Sequence, residues 1–462
     1  MVISNEVLER FARHSPETVM AHLGLTHALD ARWIDELFEK ERESQYTREL
    51  LFSTTVELMS LVALGLRPSV HAAAKSMKEL PVTVQALYDK LRGTEPEVVR
   101  ALVSGSAKRL TPVIQEMNSK RSLRQTGYRL RIVDGNHFPA SEKRLKPLRN
   151  FRGAALPGQS LVVYDPDLQL AVDVLPCEDA HTQEQVLMKT ILSTAVSGEL
   201  WIADRNFCTR AILCGLIQRG AHFLIREHAA TANPRELASA RRIGRVETGT
   251  VYEQSVSIED AQGVCHTLRR IELQLNEPTE NGERVIRLLS NVPASAMKAK
   301  MLAQEYRRRW RIENMFQRLE SVLHSEVRSL GHPRAALLAF GVAVLAYNVL
   351  TLVLTAVRIQ HARALTQNQI ELSSYYVAAE IRANYSGMLI AVAARVWQRY
   401  ESLSAKALAK LLLTLAAEVD LQQLRSYPRG PKVPKKKGYV SRQAAQRHVA
   451  TARVLAAGRI PK

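Results

Sequence analysis

Apolar side chains at the start of the chain are spaced as they are in helices. They recur every three to four positions through Ala31–Phe38 and again through Leu50–Leu64, and this period predicts amphipathic helices. Ser15 followed by Pro16 is typical of a helix N-cap with proline at the first helical position. The first hundred residues are therefore predicted to be helical.

Two shorter helices are predicted within this region, at Pro68–Ala74 and Val82–Leu91, with Leu80-Pro81 between them. Two short helices across a tight turn can form a helix-turn-helix, in which Val82–Leu91 would read DNA. They are also explained as ordinary core helices. The few basic groups of Val82–Leu91 favour this second interpretation.

From about Gly127 the pattern changes to short runs with the period of strands, and Asp165-Pro166-Asp167 between two of them is typical of a hairpin turn. The predicted strands are Tyr128–Val133, Ser160–Tyr164, Gln169–Leu175, Glu199–Ala203 and Ala221–Ile225, and the predicted helices are Glu184–Ala195 and Thr209–Arg219. Strands followed by alternating helices and strands predict an α/β fold, a mixed sheet flanked by helices.

Residues 241–290 interrupt this alternation with several short β-rich pieces. The predicted strands there are Arg245–Thr250, Val251–Ile258, Thr267–Leu275 and Arg284–Leu289. We interpret them as a β insertion before a long helix that begins at about Ala294. Helices are expected again at Asn368–Ala383 and Leu403–Val419.

Ala335–Val357 has no charged residue over 23 positions. Its length alone would allow a membrane span. It is rich in alanine and contains Asn348 and Thr351, so a buried central helix is the favoured interpretation.

Charge changes the picture because it is unevenly distributed. The formal net charge is +19, yet residues 1–100 carry 12 Lys/Arg against 15 Asp/Glu, whereas residues 421–462 carry 11 Lys/Arg and no acid. Local positive charge favours a polyanionic partner, most simply nucleic acid. A solubilising tail is the alternative. Residues 427–437 lack apolar periodicity and predict an extended or disordered basic arm.

The four cysteines, Cys177, Cys208, Cys214 and Cys265, form no C-x-x-C pair and no zinc spacing. This pattern indicates inert thiols in a reducing compartment. The first residues carry charges where a signal peptide has its apolar region, so no export and a cytoplasmic location are expected.

Candidate chemistry is concentrated in the segment from Tyr306 to Glu320, which has no proline or glycine and is predicted to be helical. Helical spacing places Tyr306, Arg309, Glu313 and Gln317 along one side. A carboxylate beside a guanidinium suits metal-assisted phosphoryl chemistry, in which one binds a divalent cation and the other a phosphate. An amphipathic surface helix with solvated charges is the alternative.

Asp134 and Asp204 each follow a predicted strand, and the ligands of open α/β sheets collect at strand ends. Together with Glu313 they can hold two divalent cations, for which hard oxygen ligands favour Mg²⁺ or Mn²⁺. A single aspartate at such a place is more often a turn or cap residue. Three acids, two after predicted strands and one on a predicted helix, favour a functional metal site over turn or cap residues.

These residues resemble the DDE transposases of bacterial insertion sequences, in the group named insertion-sequence-four. Its signature is Tyr-x-x-Arg-x-x-x-Glu-x-x-x-x-x-x-Lys, and Tyr306, Arg309 and Glu313 match the first three positions. Asp134-Gly135 is similar to the first motif of the family, and Asp204-Arg205-Asn206-Phe207 is similar to the second. The resemblance covers roughly residues 128–350.

The resemblance implies a ribonuclease H-like catalytic core that cuts double-stranded DNA at transposon ends and joins the 3′-hydroxyl to a target, with two metal ions per site. The implied division is a helical DNA-binding and dimerisation region at 1–120, the core at 121–240 and 291–360, the insertion at 241–290, a helical region at 361–425 and a basic tail at 426–462. Pairing of two ends implies a homodimer on DNA.

The resemblance also implies individual roles. Asp134, Asp204 and Glu313 would hold the metals, while Tyr306 and Arg309 would position a phosphate. The expectations that follow concern further DNA contacts. Arg205 either contacts a phosphate or pairs with an acid; Trp310 either stacks on an unpaired base or, as we favour, packs in the core; and the basic tail binds through Lys435, Lys436 and Lys437.

One residue departs from the family pattern, because Glu320 occupies the position of the signature lysine. Arg318 could supply that charge, the subgroup could function without it, or activity could be impaired. A structure-specific, metal-dependent nuclease and a DNA-binding protein that has lost catalysis are therefore the alternatives to a transposase.

Overall fold

The computed structural model describes residues 5–45, 47, 49–77, 80–118, 127–228, 232–279, 282–323, 325, 327–427 and 448–458. Within these residues, a ten-stranded mixed sheet is flanked by helices. The predicted basic arm, with Lys435, Lys436 and Lys437, lies outside the described residues.

The region before the sheet is helical, as predicted. Its helices are α1 (Glu6–His14), α2 (Pro16–Ala28), α3 (Ala31–Glu41), α4 (Phe52–Ala63), α5 (Val70–Ser76), α6 (Val84–Gly93) and α7 (Pro96–Met117). Ser15 is the N-cap of α2, although its hydroxyl interacts with Glu17 and Thr18 instead of an amide. Helix α6 buries Leu87 and Leu91, which fits the core interpretation of this helix.

The first strands of the sheet are β1 (Arg129–His137), β2 (Ala155–Leu156), β3 (Gln159–Asp165), β4 (Leu170–Cys177), β5 (Glu199–Ala203) and β6 (His222–Arg226). Strand β2 belongs to a separate small sheet, and the others follow the order β4-β3-β1-β5-β6. Strand β1 is antiparallel to β3 and parallel to β5, and β5 is parallel to β6. This arrangement confirms a mixed α/β sheet.

Strand β1 is longer than predicted, because it continues past Asp134 to His137. Its parallel pairing with β5 ends at Ile132, but its antiparallel pairing with β3 continues from Asp134 to His137. The turn-like composition of Asp134-Gly135-Asn136 is overridden by these ladder hydrogen bonds.

The β-rich region extends the main sheet. Its strands are β7 (Arg235–Glu236), β8 (Arg241–Val246), β9 (Gly249–Glu259), β10 (Cys265–Leu275) and β11 (Val285–Ser290). Strand β11 is antiparallel to β6, with Leu289 opposite Ile225. The predicted strand Arg245–Thr250 is wrong, since a turn separates Val246 from Gly249 and the residues on either side belong to different strands.

Helices cover both faces of the sheet. The remaining elements are α8 (Glu184–Leu192), α9 (Arg210–Gln218), α10 (Ala299–Tyr306), α11 (Trp310–Ser321), α12 (Pro333–Gln360), α13 (Ala362–Gln367), α14 (Ser374–Ala391), α15 (Ala394–Glu401), α16 (Ala405–Ala416), β12 (Val449–Ala450) and α17 (Thr451–Ala457). Helices α8 and α9 share a hydrophobic cluster with Val133 and Trp201, whereas α7 and α12 share the other with Ile132 and Val162.

Helix α12 is the buried central helix that its apolar sequence predicts. It is long and apolar enough to cross a membrane, but its most apolar 18-residue window is entirely buried inside the protein. Asn348 explains the polar position in this helix, because its side chain accepts a hydrogen bond from the Ala171 amide at 2.9 Å and donates one to the Ala171 carbonyl at 2.8 Å. The helix is thereby tied to strand β4.

Candidate active site

Two aspartates lie side by side where the parallel strands β1 and β5 separate. The register pairs Ile132 with Ile202, and continuing it by two residues aligns Asp134 with Asp204. Neighbouring strands are about 4.8 Å apart, so the side chains share one end of the sheet. The Asp204 carboxylate accepts a hydrogen bond from the Asn206 amide at 2.8 Å and caps a short 3₁₀ turn.

Helix α11 brings a third acid to this end of the sheet through Arg309. One guanidinium nitrogen lies 2.7 Å from Glu313 Oε1, and the other lies 3.4 Å from Asp134 Oδ2. The Arg309 side chain is only 14% exposed, so it binds both carboxylates largely out of solvent. The sequence predicted Asp134 and Glu313 as neighbours, and Arg309 connects them.

The segment from Tyr306 to Glu320 is not one continuous α-helix, as the sequence predicted. Helix α10 ends at Tyr306, Arg307–Arg309 form a 3₁₀ turn, and α11 begins at Trp310. A 3₁₀ turn is tighter than an α-helical one and changes the direction of side chains on either side. Arg309 and Glu313 still meet, because both lie within one turn at the start of α11.

Tyr306 is close to the same group of charges. Burial raises the pKa of its hydroxyl to about 12, with Arg309 and Arg226 opposing the rise and Asp204 adding to it. Tyr306 therefore remains a neutral hydroxyl, able to donate a hydrogen bond at neutral pH.

The carboxylates crowd one another. Burial raises the pKa of Asp134 to about 7; Arg309 opposes this, whereas Asp204 and Glu184 increase it. Each ionised acid therefore makes ionisation of the others more costly. Such a site favours a bound cation, and the Arg309 guanidinium occupies that place between Asp134 and Glu313.

Glu184 is a nearby acid that the sequence did not single out. It begins α8, and a Cβ on Gly135 would lie 1.8 Å from its Oε1 atom, so the carboxylate lies against the Gly135 backbone. Burial raises the pKa of Glu184, Asp204 adds to the rise, and His137 and Asn206 oppose it. The sequence signal was a glycine directly after the first aspartate, which only the fold connects to a helix that begins 49 positions later.

Arg205 lies at the edge of this group. Its side chain is 54% exposed, and it lies 3.6 Å from Glu283, which also binds Arg226 at 2.6 Å. The pairing alternative for Arg205 is thus observed. Its exposure leaves the guanidinium accessible from solvent.

Trp310 is exposed, so the favoured expectation that it packs in the core is wrong. Trp310 is 59% exposed, because α11 buries instead the face that carries Ile312, Met315 and Leu319. The Arg309 guanidinium lies 5.3 Å from the centre of the indole ring. The indole is therefore accessible from solvent beside Arg309.

Glu320 is exposed on the same side of α11 as Glu313, two turns further on. Arg318 does not replace the missing lysine at this position, since at 3.6 residues per turn it points roughly 140° away from Glu313. It lies instead beside Tyr164 and Arg358. Its positive charge opposes the rise in the pKa of Tyr164 and helps to lower the pKa of Arg358.

The site supplies the oxygen ligands that a divalent cation prefers. Nevertheless, no three His, Cys, Asp or Glu side chains stand close enough to coordinate a metal as they are, in the part of the chain that the structure describes. The Arg309 guanidinium, itself a cation, lies between Asp134 and Glu313. The acids thus fit a divalent metal in charge and ligand type.

The central segment is similar to a known family. Residues 125–349 match the family model described as the transposase DDE domain. This segment is just under half of the chain and contains Asp134, Asp204 and Glu313. No curated protein shows significant similarity to the chain.

The match supports a DDE transposase, the class that the motifs resemble. It supports transposase activity in general and an enzyme that cuts and joins DNA, with DNA as the substrate. Divalent metals are typical of such domains. The matched residues also span the β-rich strands that extend the sheet.

Proposed function

We propose that this chain is a transposase that cleaves DNA at the ends of an insertion sequence and joins the 3′-hydroxyl ends to target DNA. The observation that carries the proposal is the meeting of Asp134, Arg309 and Glu313 beside Asp204, inside the segment that matches the transposase DDE domain. The Tyr306, Arg309 and Glu313 spacing supports the insertion-sequence-four group.

We further propose a ribonuclease H-like core. The strand order β4-β3-β1-β5-β6, with β1 antiparallel to β3 and parallel to β5, supports it. In this topology the acids lie at one end of two neighbouring strands, and the helix that carries Glu313 packs beside them. The β insertion then lengthens the sheet on the β6 side.

Asp134, Asp204 and Glu313 are proposed to hold two Mg²⁺ or Mn²⁺ ions. When bound, these ions would activate the attacking water or 3′-hydroxyl and stabilise the leaving oxygen. Arg309 would bind the scissile phosphate. Two phosphate oxygens would then accept the hydrogen bonds that the guanidinium now donates to the two carboxylates. Tyr306 would donate a hydrogen bond to the same phosphate.

The surrounding groups are proposed to hold the DNA. Trp310 is exposed beside Arg309 and would stack on an unpaired base, and Arg205 would bind a phosphate. The basic tail would bind the backbone of the duplex. Two transposon ends must be brought together, so we propose a homodimer on DNA in the cytoplasm, at the nucleoid.

The test is cleavage of a labelled duplex that carries the native ends of the element, with Mg²⁺, Mn²⁺, Ca²⁺ or EDTA. Nicks at the ends should require Mg²⁺ or Mn²⁺ and should disappear in Asp134→Asn, Asp204→Asn and Glu313→Gln, while binding of the duplex persists. Asp89→Asn is the matched control, since Asp89 is exposed on α6. Joined products in a plasmid assay separate a transposase from a nuclease.

Glu320 supports one second candidate, a DNA-binding protein without catalysis. It places a negative charge where the family signature has a positive one, on the side of α11 that carries Glu313. This candidate expects metal-independent binding of the ends and no cleavage in any of the four conditions. That result would overturn the transposase proposal.

A further inference from the structure

The loop that connects β1 to β2 is strongly basic. Residues 142–152 contain five Lys/Arg and a single acid, Glu142. The cations are Lys143, Arg144, Lys146, Arg149 and Arg152. Among the described residues, only Arg144 of these five forms an ion pair, with Glu142 at 2.6 Å. Most of the positive charge of this 142–152 loop therefore has no acidic partner in that part of the chain.

Three of these cations are directed to the surface. Lys146, Arg149 and Arg152 are exposed, and Arg149 uses one nitrogen to donate a hydrogen bond to the Arg144 carbonyl at 3.2 Å. Phe151 lies between the last two in the sequence and is 42% exposed. An exposed aromatic ring among cations suits a nucleic acid, because it adds apolar contact to the attraction between cations and phosphates.

The 142–152 loop is fixed to the protein at several points. The Glu142 amide donates a hydrogen bond to the Arg328 carbonyl at 2.9 Å, and the Leu148 side chain is fully buried. Helix α17 packs against the 3₁₀ turn Lys146–Leu148, and β12 pairs with β2 directly after the loop. Like charges that are held close together repel one another, and a bound polyanion would offset this repulsion.

The position of the loop relates it to the candidate active site. Strand β1 ends at His137, three residues after Asp134, which is about 10 Å along the strand at 3.3 Å per residue. The loop begins five residues later, and its contact at Arg328 comes seven positions after α11 ends at Ser321. It therefore follows the strand of one candidate acid and contacts the segment that follows the helix of another.

We infer that the 142–152 loop binds the phosphate backbone of duplex DNA next to the point of cleavage. The inference rests on the proposed function, because it concerns the DNA that the same site would cut. Duplex DNA carries one phosphate per about 1.7 Å of its axis, so several phosphates lie within reach beyond Asp134. Lys146, Arg149 and Arg152 would each neutralise one of them. The loop would thus supply positive charge that α11 lacks at Glu320.

The salt dependence of binding tests this inference without any cleavage. Binding of a fluorescein-labelled duplex that carries the ends of the element is measured by fluorescence anisotropy, in EDTA, over a series of salt concentrations. The triple variant Lys146→Gln/Arg149→Gln/Arg152→Gln should lower the slope of log affinity against log salt by about 2 to 3, since each phosphate contact contributes about 0.9. A duplex of scrambled sequence should show the same loss, because phosphate contacts do not read sequence.

A matched control removes the same charge elsewhere. Arg395→Gln/Lys406→Gln/Lys410→Gln changes three exposed cations on α15 and α16, and it should keep the wild-type slope. Circular dichroism and thermal melting show whether each variant is folded. The single variants Arg149→Gln and Arg152→Gln should each lower the slope by about one, and they decide the matter if the triple variant does not fold.

The outcomes separate this inference from the function on which it rests. A wild-type slope in all the loop variants, with end cleavage by the wild-type protein, would overturn the role of the loop and leave the proposed function intact. An equal loss in the control variant would also overturn it, because net charge would then explain the effect. A lower slope in the loop variants alone supports the loop, even if the wild-type protein cuts no DNA with any metal and the proposed function fails.

Discussion

The guanidinium of Arg309 lies 2.7 Å from the carboxylate of Glu313, one helical turn later in the chain. The same guanidinium extends to Asp134 at 3.4 Å. Because Arg309 is largely buried, its contacts are worth more than those of a surface ion pair. Burial acts to lower its pKa, but Tyr306, Glu313 and Asp134 outweigh burial and raise it, so the residue remains a cation at the centre of the site.

Removing this cation should impair catalysis more than DNA binding. We expect Arg309→Gln to lower the rate of end cleavage about 100-fold, the cost typical of losing one preorganised donor to a reacting group. The measurement is single-turnover cleavage of a labelled end duplex, with affinity measured in parallel. Arg307→Gln is the control, because Arg307 is exposed and forms its ion pair with the exposed Glu247. Equal rates for the two variants would contradict the role of Arg309.

Trp310 should contribute to DNA binding without contributing to stability. We expect Trp310→Ala to weaken binding of an end duplex with unpaired bases by about 1–3 kcal/mol, the value of one stacked base, and to leave thermal unfolding unchanged. Trp201→Ala is the contrasting variant. Trp201 is buried in the sheet, so its removal should cost about 3–5 kcal/mol of folding free energy. A large loss of stability in Trp310→Ala would show that the indole packs within the protein.

Glu320→Lys restores the charge of the family signature. The added cation, on the side of α11 that carries Glu313, should strengthen binding of DNA ends and steepen its salt dependence by about one phosphate contact. Binding measured over a series of salt concentrations tests this. Glu401→Lys makes the same charge change at another exposed position. If both variants bind alike, position 320 has no special role.

His22 should make stability depend on pH. Burial lowers the pKa of its imidazole from 6.5 to about 4, where it contacts the Tyr385 hydroxyl at 3.0 Å and the ring of Trp397. Below pH 6.5 His22 binds a proton in the unfolded chain but stays neutral in the folded chain. The free energy of unfolding therefore decreases as the pH falls from 6.5 towards 4. The loss should be about 2 kcal/mol at pH 5.

The measurement is urea unfolding at pH 7 and pH 5 for the wild-type protein and His22→Gln. The difference between the two pH values should be smaller in the variant by that amount. Burial also raises the pKa of Glu17, so protonation of this acid stabilises the folded protein as the pH falls. This contribution is the same in the wild type and in His22→Gln, and it cancels when the two proteins are compared. His14→Gln, at an exposed position of α1, should behave as the wild type.

Much of the secondary structure could be predicted because it depends on short-range patterns. The apolar run Glu199–Ala203 is strand β5 with the predicted limits, and Asp204 follows it directly. The burial of α12 was predicted from its alanine content and its isolated polar residues. Tyr306, Arg309 and Glu313 were singled out by their helical spacing and Asp134 by its place after a predicted strand, because such local patterns can be read from neighbouring residues.

Features that depend on distant partners could not be predicted. Strand β1 continues past Asp134 only because β3 pairs with it. Strand β11 joins the insertion to the core only because β6 offers it an edge. Trp310 is exposed because other residues of α11 pack against the core. The local sequence does not show which face of this helix is buried.

By itself, the sequence determined the helical and strand character of most segments, the three acids and the arginine beside the last of them. The tertiary structure decided how they meet: the parallel register that aligns Asp134 with Asp204, the packing of α11 against β1 that brings Arg309 to both Asp134 and Glu313, and the approach of Glu184 to Gly135. The physical reason is that local preferences act over a few residues. Register, burial and electrostatic coupling arise only when segments far apart in the chain are packed together.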